Sequence, residues 1–267
     1  MKKLKWNKAE VEYLKENFSS NQDKSLSAHL HKSPNSIRIK ASRLRLKKDS
    51  SAYRINLKLT PIEEQVILGG LMGDLHCRLT HTSKNARVEG GHGSNQGEYL
   101  AYKVELLNRL KCVIRLSKEG ACYYQSKSFS RLNNLYKSFY QNGKKIVNRE
   151  VLDKINPFGL FVWYLDDGSY HSRDKSSRLH TNCFTYEEHL VMKEWFEQNF
   201  GISPAIHKFK DQEDKTIYYL SFPVSETRKL HDLFRDFEIP ECMKYKLYYH
   251  HESHLPNSIP EAIVAYN

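Results

Sequence analysis

Two stretches of the sequence predict buried helices that start with the same kind of cap and end on aspartate. Thr60 to His76 reads TPIEEQVILGGLMGDLH, and Asn156 to Ser169 reads NPFGLFVWYLDDGS. In each, a capping side chain precedes a proline at the first helical position, where its missing N–H costs nothing. The apolar run that follows predicts a helix buried nearly all round. Burying carboxylates is expensive unless a cation or donor meets them, so this repeated pattern constrains the fold strongly.

The elements predicted after each helix repeat in the same order. Taken alone, the stretch from Asn156 to Ser169 would indicate only a core helix that ends at a solvated Asp-Asp-Gly turn. Here the expected first-half strands are 76–80, 87–93, 112–116 and 122–128, with helices at 98–110 and 132–140. The expected second-half strands are 169–173, 177–184, 205–209 and 216–222, with helices at 186–200 and 226–234. We therefore predict an α+β fold with a duplicated αββαββα core around a pseudo-twofold axis.

A small basic module is predicted before this core. Residues 1–46 show three short amphipathic helices and resemble Myb/SANT-like or helix-turn-helix modules. Residues 1–54 carry 14 Lys and Arg against 5 Asp and Glu, which is +9 of the net +11 of the chain. The third helix carries the expected DNA contacts of this module, Arg38, Lys40, Arg43 and Arg45. The alternative is a basic three-helix module that binds protein.

Composition favours a nucleic-acid partner and a reducing compartment. A net charge of +11 with a pI near 9.2 suits a polyanionic partner, as it does other basic proteins. Five scattered cysteines without a Cys-x-x-Cys pair argue against a disulfide framework or a zinc ribbon. No signal peptide or membrane span is predicted, so we expect an intracellular protein, in cytoplasm, nucleoid or organelle according to its source.

These patterns predict five segments along the chain. The module at 1–46 is followed by a polar linker at 47–58, a first half at 59–150, a second half at 151–250 and a tail at 251–267.

The two acidic helices predict a metal site at their contact. Gly69 and Gly73 lie one turn apart and would let a partner helix approach closely, with Val162 opposite in the second helix. Asp74 and Asp167 would then meet at two negative helix ends. Oxygen ligands suit Mg²⁺, Ca²⁺ or Mn²⁺, and carboxylate-bound Mg²⁺ beside a basic surface indicates phosphodiester hydrolysis.

The stretches ILGGLMGDL and LFVWYLDDG resemble the two motifs of single-chain LAGLIDADG homing endonucleases, in the branch whose second motif ends in Asp-Asp-Gly. The resemblance covers roughly residues 61–247. It implies a site-specific double-strand DNA endonuclease, a monomer with a long asymmetric target, using Mg²⁺ with Mn²⁺ as a substitute. It implies Asp74 and Asp167 as metal-binding catalytic acids, with the Leu75 carbonyl as a further ligand. Asp166 is expected to be structural, and less readily a ligand itself.

The same resemblance implies a catalytic lysine in each half. Lys246 matches the second-half position, while Lys145 is the first-half candidate and Lys144 is its rival. Their expected role is electrostatic, at the phosphate and its water network. The alternative is a solvated surface charge. The second motif departs from the first, since Val162 and Asp166 stand where the first has Gly69 and Gly73, which puts a tight helix contact in question.

The resemblance also implies two antiparallel sheets that read the major groove. Period-2 alternation then predicts which side chains face the bases. The predicted DNA contacts are His76, Arg78, Thr80 and Arg87 in the first half and Ser169, His171, Arg173, Arg178, His180 and Asn182 in the second. The alternative function is a non-cleaving binder on the same fold, a maturase-like splicing factor or a transcription regulator.

Overall fold

The computed structural model describes residues 6–19, 21, 23–47, 58–79 and 84–251. Thr80 lies outside these residues, as do most of the predicted linker and all of the predicted tail except His251. The chain divides into two compact units, residues 1–56 and 57–267.

The first unit contains the three predicted helices, α1 (Lys8–Asn17), α2 (Asp23–Leu30) and α3 (Pro34–Arg43). Asn7 and Glu10 form a capping box at the start of α1, and Ser33 caps α3 ahead of its proline. All three helices contribute to a small core of the unit's own, with Leu14, Leu26 and Ile37 among its most buried side chains.

The second unit begins with α4 (Pro61–Met72). The elements of the first half that follow are β1 (His76–Arg78), β2 (Arg87–His92), α5 (Gly97–Leu106), β3 (Val113–Leu116), β4 (Cys122–Gln125) and α6 (Leu132–Phe139). The four strands form an antiparallel sheet in the order β1-β2-β4-β3. A short hairpin, β5 (Tyr140–Gln141) and β6 (Lys144–Lys145), and α7 (Arg149–Leu152) then lead to the second half.

The second half repeats this order around α8 (Pro157–Asp167). Its further elements are β7 (Gly168–His171), β8 (Ser176–Leu179), α9 (Tyr186–Phe200), β9 (Ala205–Lys210), β10 (Thr216–Phe222) and α10 (Val224–Asp232). The sheet order β7-β8-β10-β9 matches that of the first half. A 3₁₀ helix at Glu241–Lys246 follows. The predicted α+β fold with a duplicated αββαββα core is confirmed.

Five strand predictions run past the observed end of the strand, and two of them thereby place a predicted DNA contact in a turn. Arg173 lies in the turn after β7, and Asn182 lies in a turn after β8 has ended at Leu179. Strand β8 ends early because the buried Thr181 hydroxyl bonds outside the sheet, donating to His189 Nε2 at 2.7 Å. The chain then turns so that Thr185 can cap α9.

Helices α4 and α8 pack against each other through the glycines of α4. A Cβ added at Gly69 would lie 2.0 Å from the Gly159 carbonyl oxygen and 3.1 Å from Val162 Cβ. A Cβ added at Gly73 would lie 2.5 Å from Asp166 Cβ. The larger residues of α8 therefore occupy the space that the glycines of α4 leave open, and the helix contact stays close.

Candidate metal centre and nucleic-acid surface

Asp74 and Asp167 lie at the carboxyl ends of the two packed helices. Asp167 is the last residue of α8, and Asp74 follows the turn at Gly73 after α4. Burial, then the charges of Asp166 and Asp74, raise the pKa of Asp167 to about 8. Burial and the charge of Asp166 raise the pKa of Asp74 as well. Such mutual repulsion at two negative helix ends makes the pair a strong attractor of cations.

A lysine covers each helix end. Lys145 Nζ, on β6, donates to the carbonyl oxygens of Gly73 at 3.0 Å and Leu75 at 3.2 Å. Lys246 Nζ, at the end of the 3₁₀ helix Glu241–Lys246, donates to the carbonyl oxygens of Leu165 at 2.6 Å and Asp166 at 3.0 Å. Burial lowers the pKa of both lysines, against the opposite effect of the nearby carboxylates.

The two lysines thus occupy equivalent positions, whereas Lys144 is exposed on the same short strand. The Leu75 carbonyl, predicted as a metal ligand, accepts from Lys145 here.

Asp166 is held by partners that sequence reasoning missed. Its fully buried Oδ1 accepts from Tyr99 Oη at 2.8 Å and from Lys103 Nζ at 2.7 Å. Its Oδ2 lies 3.3 Å from the donating backbone N–H of Asp74. The available signal was a lysine in the apolar stretch of α5, one turn after Tyr99. Both carboxylate oxygens of Asp166 are therefore bonded within the protein.

A second missed residue, His92, ends β2 between two carboxylates. Its Nδ1 lies 3.6 Å from Asp74 Oδ2, and its Nε2 lies 3.9 Å from Asp166 Oδ1. Burial, then the charge of Lys103, lower the pKa of His92 to about 4, so the ring is neutral at neutral pH. Oxygen and nitrogen donors of Asp74, His92 and Asp166 come within 4.8 Å of one another. These donor types, at two negative helix ends, fit a divalent cation.

The exposed face of the first sheet carries most of the predicted first-half DNA contacts. His76 and Arg78 are exposed while Cys77 between them is buried, as the alternation predicts. Across the pair, Arg78 stands opposite Arg87 and His76 opposite Glu89. The Glu89 carboxylate forms ion pairs with Arg78 at 3.3 Å and with Arg87 at 3.0 Å. A groove of about 510 Å³ joins this face to Asp74 and is lined by Asp74, His76, Glu89, Arg115, Tyr123 and Gln125 among others.

The second sheet carries a similar set of predicted DNA-contact side chains. Ser169 stands opposite Arg178, and His180, just past β8, meets Ser169 Oγ at 3.1 Å. Arg178 stacks over the Tyr219 ring at 5.4 Å, and His171 is half-buried on β7. The two residues in turns, Arg173 and Asn182, are exposed, and Arg173 pairs with Asp174 at 2.9 Å.

The sequence analysis predicted the strands β3, β4, β9 and β10 but assigned no DNA contact to any of them. In the first sheet, register places Gln125 opposite Glu89 and Tyr123 opposite Arg115. In the second, Tyr219 stands opposite His207. Alternation within β4 and β10 was the signal that could have found them.

On α3, Arg38 pairs with Asp23 at 2.8 Å, and Lys40 Nζ lies 6.0 Å from the Trp6 ring centre. Arg43 and Arg45 are exposed at its carboxyl end. Across the residues that the structure describes, no helix combines the length and apolar character needed to cross a membrane.

The model of the LAGLIDADG DNA endonuclease family matches residues 64–230, so the chain belongs to that family. A probable intron-encoded DNA endonuclease 3 of Mycosarcoma maydis is 34% identical over 127 residues, covering 46% of this chain and 88% of that protein. A cytochrome b mRNA maturase bI2 of Debaryomyces hansenii is 25% identical over 212 residues, covering 75% of this chain and 79% of that protein.

A protein RecA of Mycobacterium shimoidei is 28% identical over 196 residues, covering 68% of this chain and 45% of that protein. The chain thus spans about half the length of the RecA relatives it matches. Among solved structures, the homing endonuclease I-WcaI bound to its DNA recognition sequence superposes with a TM-score of 0.63 at 21% identity, covering 75% of this chain and 92% of that one. This likeness supports the same fold.

Proposed function

We propose that the chain is a site-specific endonuclease that hydrolyses both strands of a DNA duplex with a divalent metal. The observation that carries the proposal is the pair Asp74 and Asp167, placed at equivalent helix ends with raised pKa values. Lys145 and Lys246 cover those ends from equivalent positions. A binding protein has no structural need for two such carboxylates beside one buried and one half-buried lysine, because each costs stability.

In this reading Asp74 and Asp167 hold Mg²⁺, for which Mn²⁺ substitutes. The bound metal supplies an activated water and charge stabilisation at the attacking and leaving oxygens. The chain's own lysines orient the carbonyls at the helix ends and place positive charge beside the scissile phosphates. Two equivalent halves match two scissile bonds, one on each strand.

The two sheet faces supply the recognition surface. Their exposed donors and rings, Arg78, Arg178, His180 and Tyr219 among them, suit base edges and the sugar-phosphate backbone. The basic α3 supplies a separate DNA contact that raises the effective concentration of the core at its target. We expect a long, asymmetric target bound by a monomer, since both halves lie in one chain.

The test is cleavage of a labelled duplex that spans the uninterrupted form of the locus into which the gene is inserted. The wild-type protein should cut both strands with Mg²⁺, and Asp74→Asn and Asp167→Asn should each lower the rate at least about a thousandfold. Both variants should still bind the duplex in a gel-shift assay with Ca²⁺. Binding without any cut by the wild type would contradict the proposal.

A maturase-like RNA-binding role is the second candidate, and the similarity to a cytochrome b mRNA maturase favours it. The two functions differ in their dependence on the carboxylates. Splicing assistance should survive Asp74→Asn, whereas DNA cleavage should not.

A further inference from the structure

Without a bound metal, the buried His92 ring has a nitrogen that lacks a hydrogen-bond partner among the described residues. Its side chain is 2% exposed, and Nε2 has no hydrogen-bond partner among the described residues. The separations of 3.6 Å to Asp74 Oδ2 and 3.9 Å to Asp166 Oδ1 are too long for hydrogen bonds. A neutral imidazole carries one proton, so at least one ring nitrogen turns a lone pair towards a carboxylate oxygen. With the ring proton on Nε2, facing Asp166, the Nδ1 lone pair faces Asp74 Oδ2, and these two acceptors repel each other unless a cation lies between them.

The Asp74 side of the ring is the side open to a cation. On the other side, Asp166 Oδ1 already accepts from Tyr99 and from Lys103, whose ammonium balances its charge. The Asp74 side chain is 43% exposed and accepts no hydrogen bond from the described residues. Two ligands about 2.1 Å from a common ion at right angles lie about 3.0 Å apart. A small rotation of Asp74 would bring Oδ2 and Nδ1 to that separation.

The second half has no imidazole at the equivalent position. Register pairs His76 with Glu89 and Ser169 with Arg178, so His92 corresponds to Thr181, three residues after Arg178. The hydroxyl of Thr181 is buried and bonded to His189 Nε2 at 2.7 Å. His189 also bonds the Thr185 carbonyl through Nδ1, so it is a satisfied core histidine.

We propose that His92 Nδ1 is a ligand of the divalent ion held by Asp74, which makes the first-half metal site a mixed nitrogen and oxygen site. The inference rests on the proposed function only for the presence of a metal at Asp74. Imidazole is a better ligand for transition-metal ions than for Mg²⁺. The first-half site should therefore prefer Mn²⁺ or Co²⁺ over Mg²⁺ more strongly than the second-half site, whose donors are oxygens.

Pulsed electron paramagnetic resonance of the Mn²⁺-loaded protein tests this ligand without any cleavage assay. The wild type should show coupling of Mn²⁺ to a directly bound ¹⁴N nucleus. That coupling should become ¹⁵N coupling when the protein is made with ¹⁵N-histidine. His92→Gln should remove the nitrogen coupling. The matched control His76→Gln, two residues after Asp74 but exposed on β1, should keep it.

Calorimetric titration gives the second readout. His92→Gln should weaken Mn²⁺ binding about tenfold and Mg²⁺ binding by less than about twofold. Persistent nitrogen coupling in His92→Gln, or no histidine coupling in Mn²⁺-loaded wild type, would overturn the inference. The labelled wild type decides the matter even where the variant fails to fold. Cutting without nitrogen coupling would refute the ligand and leave the endonuclease standing, whereas coupling without cutting would do the reverse.

Discussion

The two halves of the core share a backbone plan but differ where the helices meet. Both sheets have the same strand order, and each helix end is covered by one lysine. Yet α4 contributes Gly73 to the contact where α8 contributes Asp166, and His92 in one half corresponds to a bonded Thr181 in the other. The shared features are those that the proposed chemistry needs twice. The unshared ones are local solutions to packing and charge that each half has reached separately.

Replacing the two lysines that cover the helix ends should give the largest change in cleavage rate among the features that the two halves share. Lys145→Met and Lys246→Met should each slow cleavage about a hundredfold, because each removes a charge that is fixed beside a carboxylate. Rates on the two strands of an end-labelled duplex would show whether each lysine serves one strand. Lys144→Met is the matched control and should leave the rate unchanged. An equal loss in that control, or full activity in either main variant, would break the proposed equivalence.

The Asp166–Lys103 pair tests what the halves do not share. Lys103→Met leaves a buried carboxylate without its cation and should lower the free energy of unfolding by about 3–5 kcal/mol. The double variant Lys103→Met/Asp166→Asn should recover part of that loss, since no charge is then left unpaired. Urea unfolding at pH 7 without metal measures both. A double variant as unstable as the single one would mean that the pair is not coupled.

The raised pKa of Asp167 predicts a dependence of stability on pH. Its pKa is about 8 in the folded chain against 3.8 ordinarily. Between those values the folded state holds a proton that the unfolded state has lost, so metal-free stability should fall as pH rises from about 5 to 8. Asp167→Asn should lose about 4 kcal/mol less over that range, since a proton held only by the folded state is worth about 1.4 kcal/mol per pH unit.

The exposed Asp174 is the matched control for that measurement, because its pKa is lowered by Arg173. Asp174→Asn should keep the wild-type slope between pH 5 and 8. Identical slopes for Asp167→Asn and the wild type would contradict a buried, proton-holding Asp167.

The sequence predicted the parts of the fold that local patterns control. The caps and prolines of α4 and α8 lie within a few residues of the apolar runs they start, so both helices were predictable. The short hairpin that carries Lys145 has strands of two residues, too short to show a period.

The contacts of the site were less predictable because they join distant parts of the chain. Lys103 reaches Asp166 across 63 positions, and nothing near either residue indicates the pairing. His92 is one of 13 histidines, and only the packing of β2 against the helix ends sets it apart. The end of β8 depended likewise on a buried bond between Thr181 and His189.

The central claim is that Asp74 and Asp167 together hold divalent metal where the two helices end. Crystals grown with Mn²⁺ and the target duplex, measured near the manganese absorption edge, test it directly through anomalous scattering. Anomalous peaks should lie within about 2.3 Å of carboxylate oxygens of both residues, and they should be lost in the Asp74→Asn/Asp167→Asn variant. A crystal in which the duplex is cut while manganese lies away from both carboxylates would contradict it.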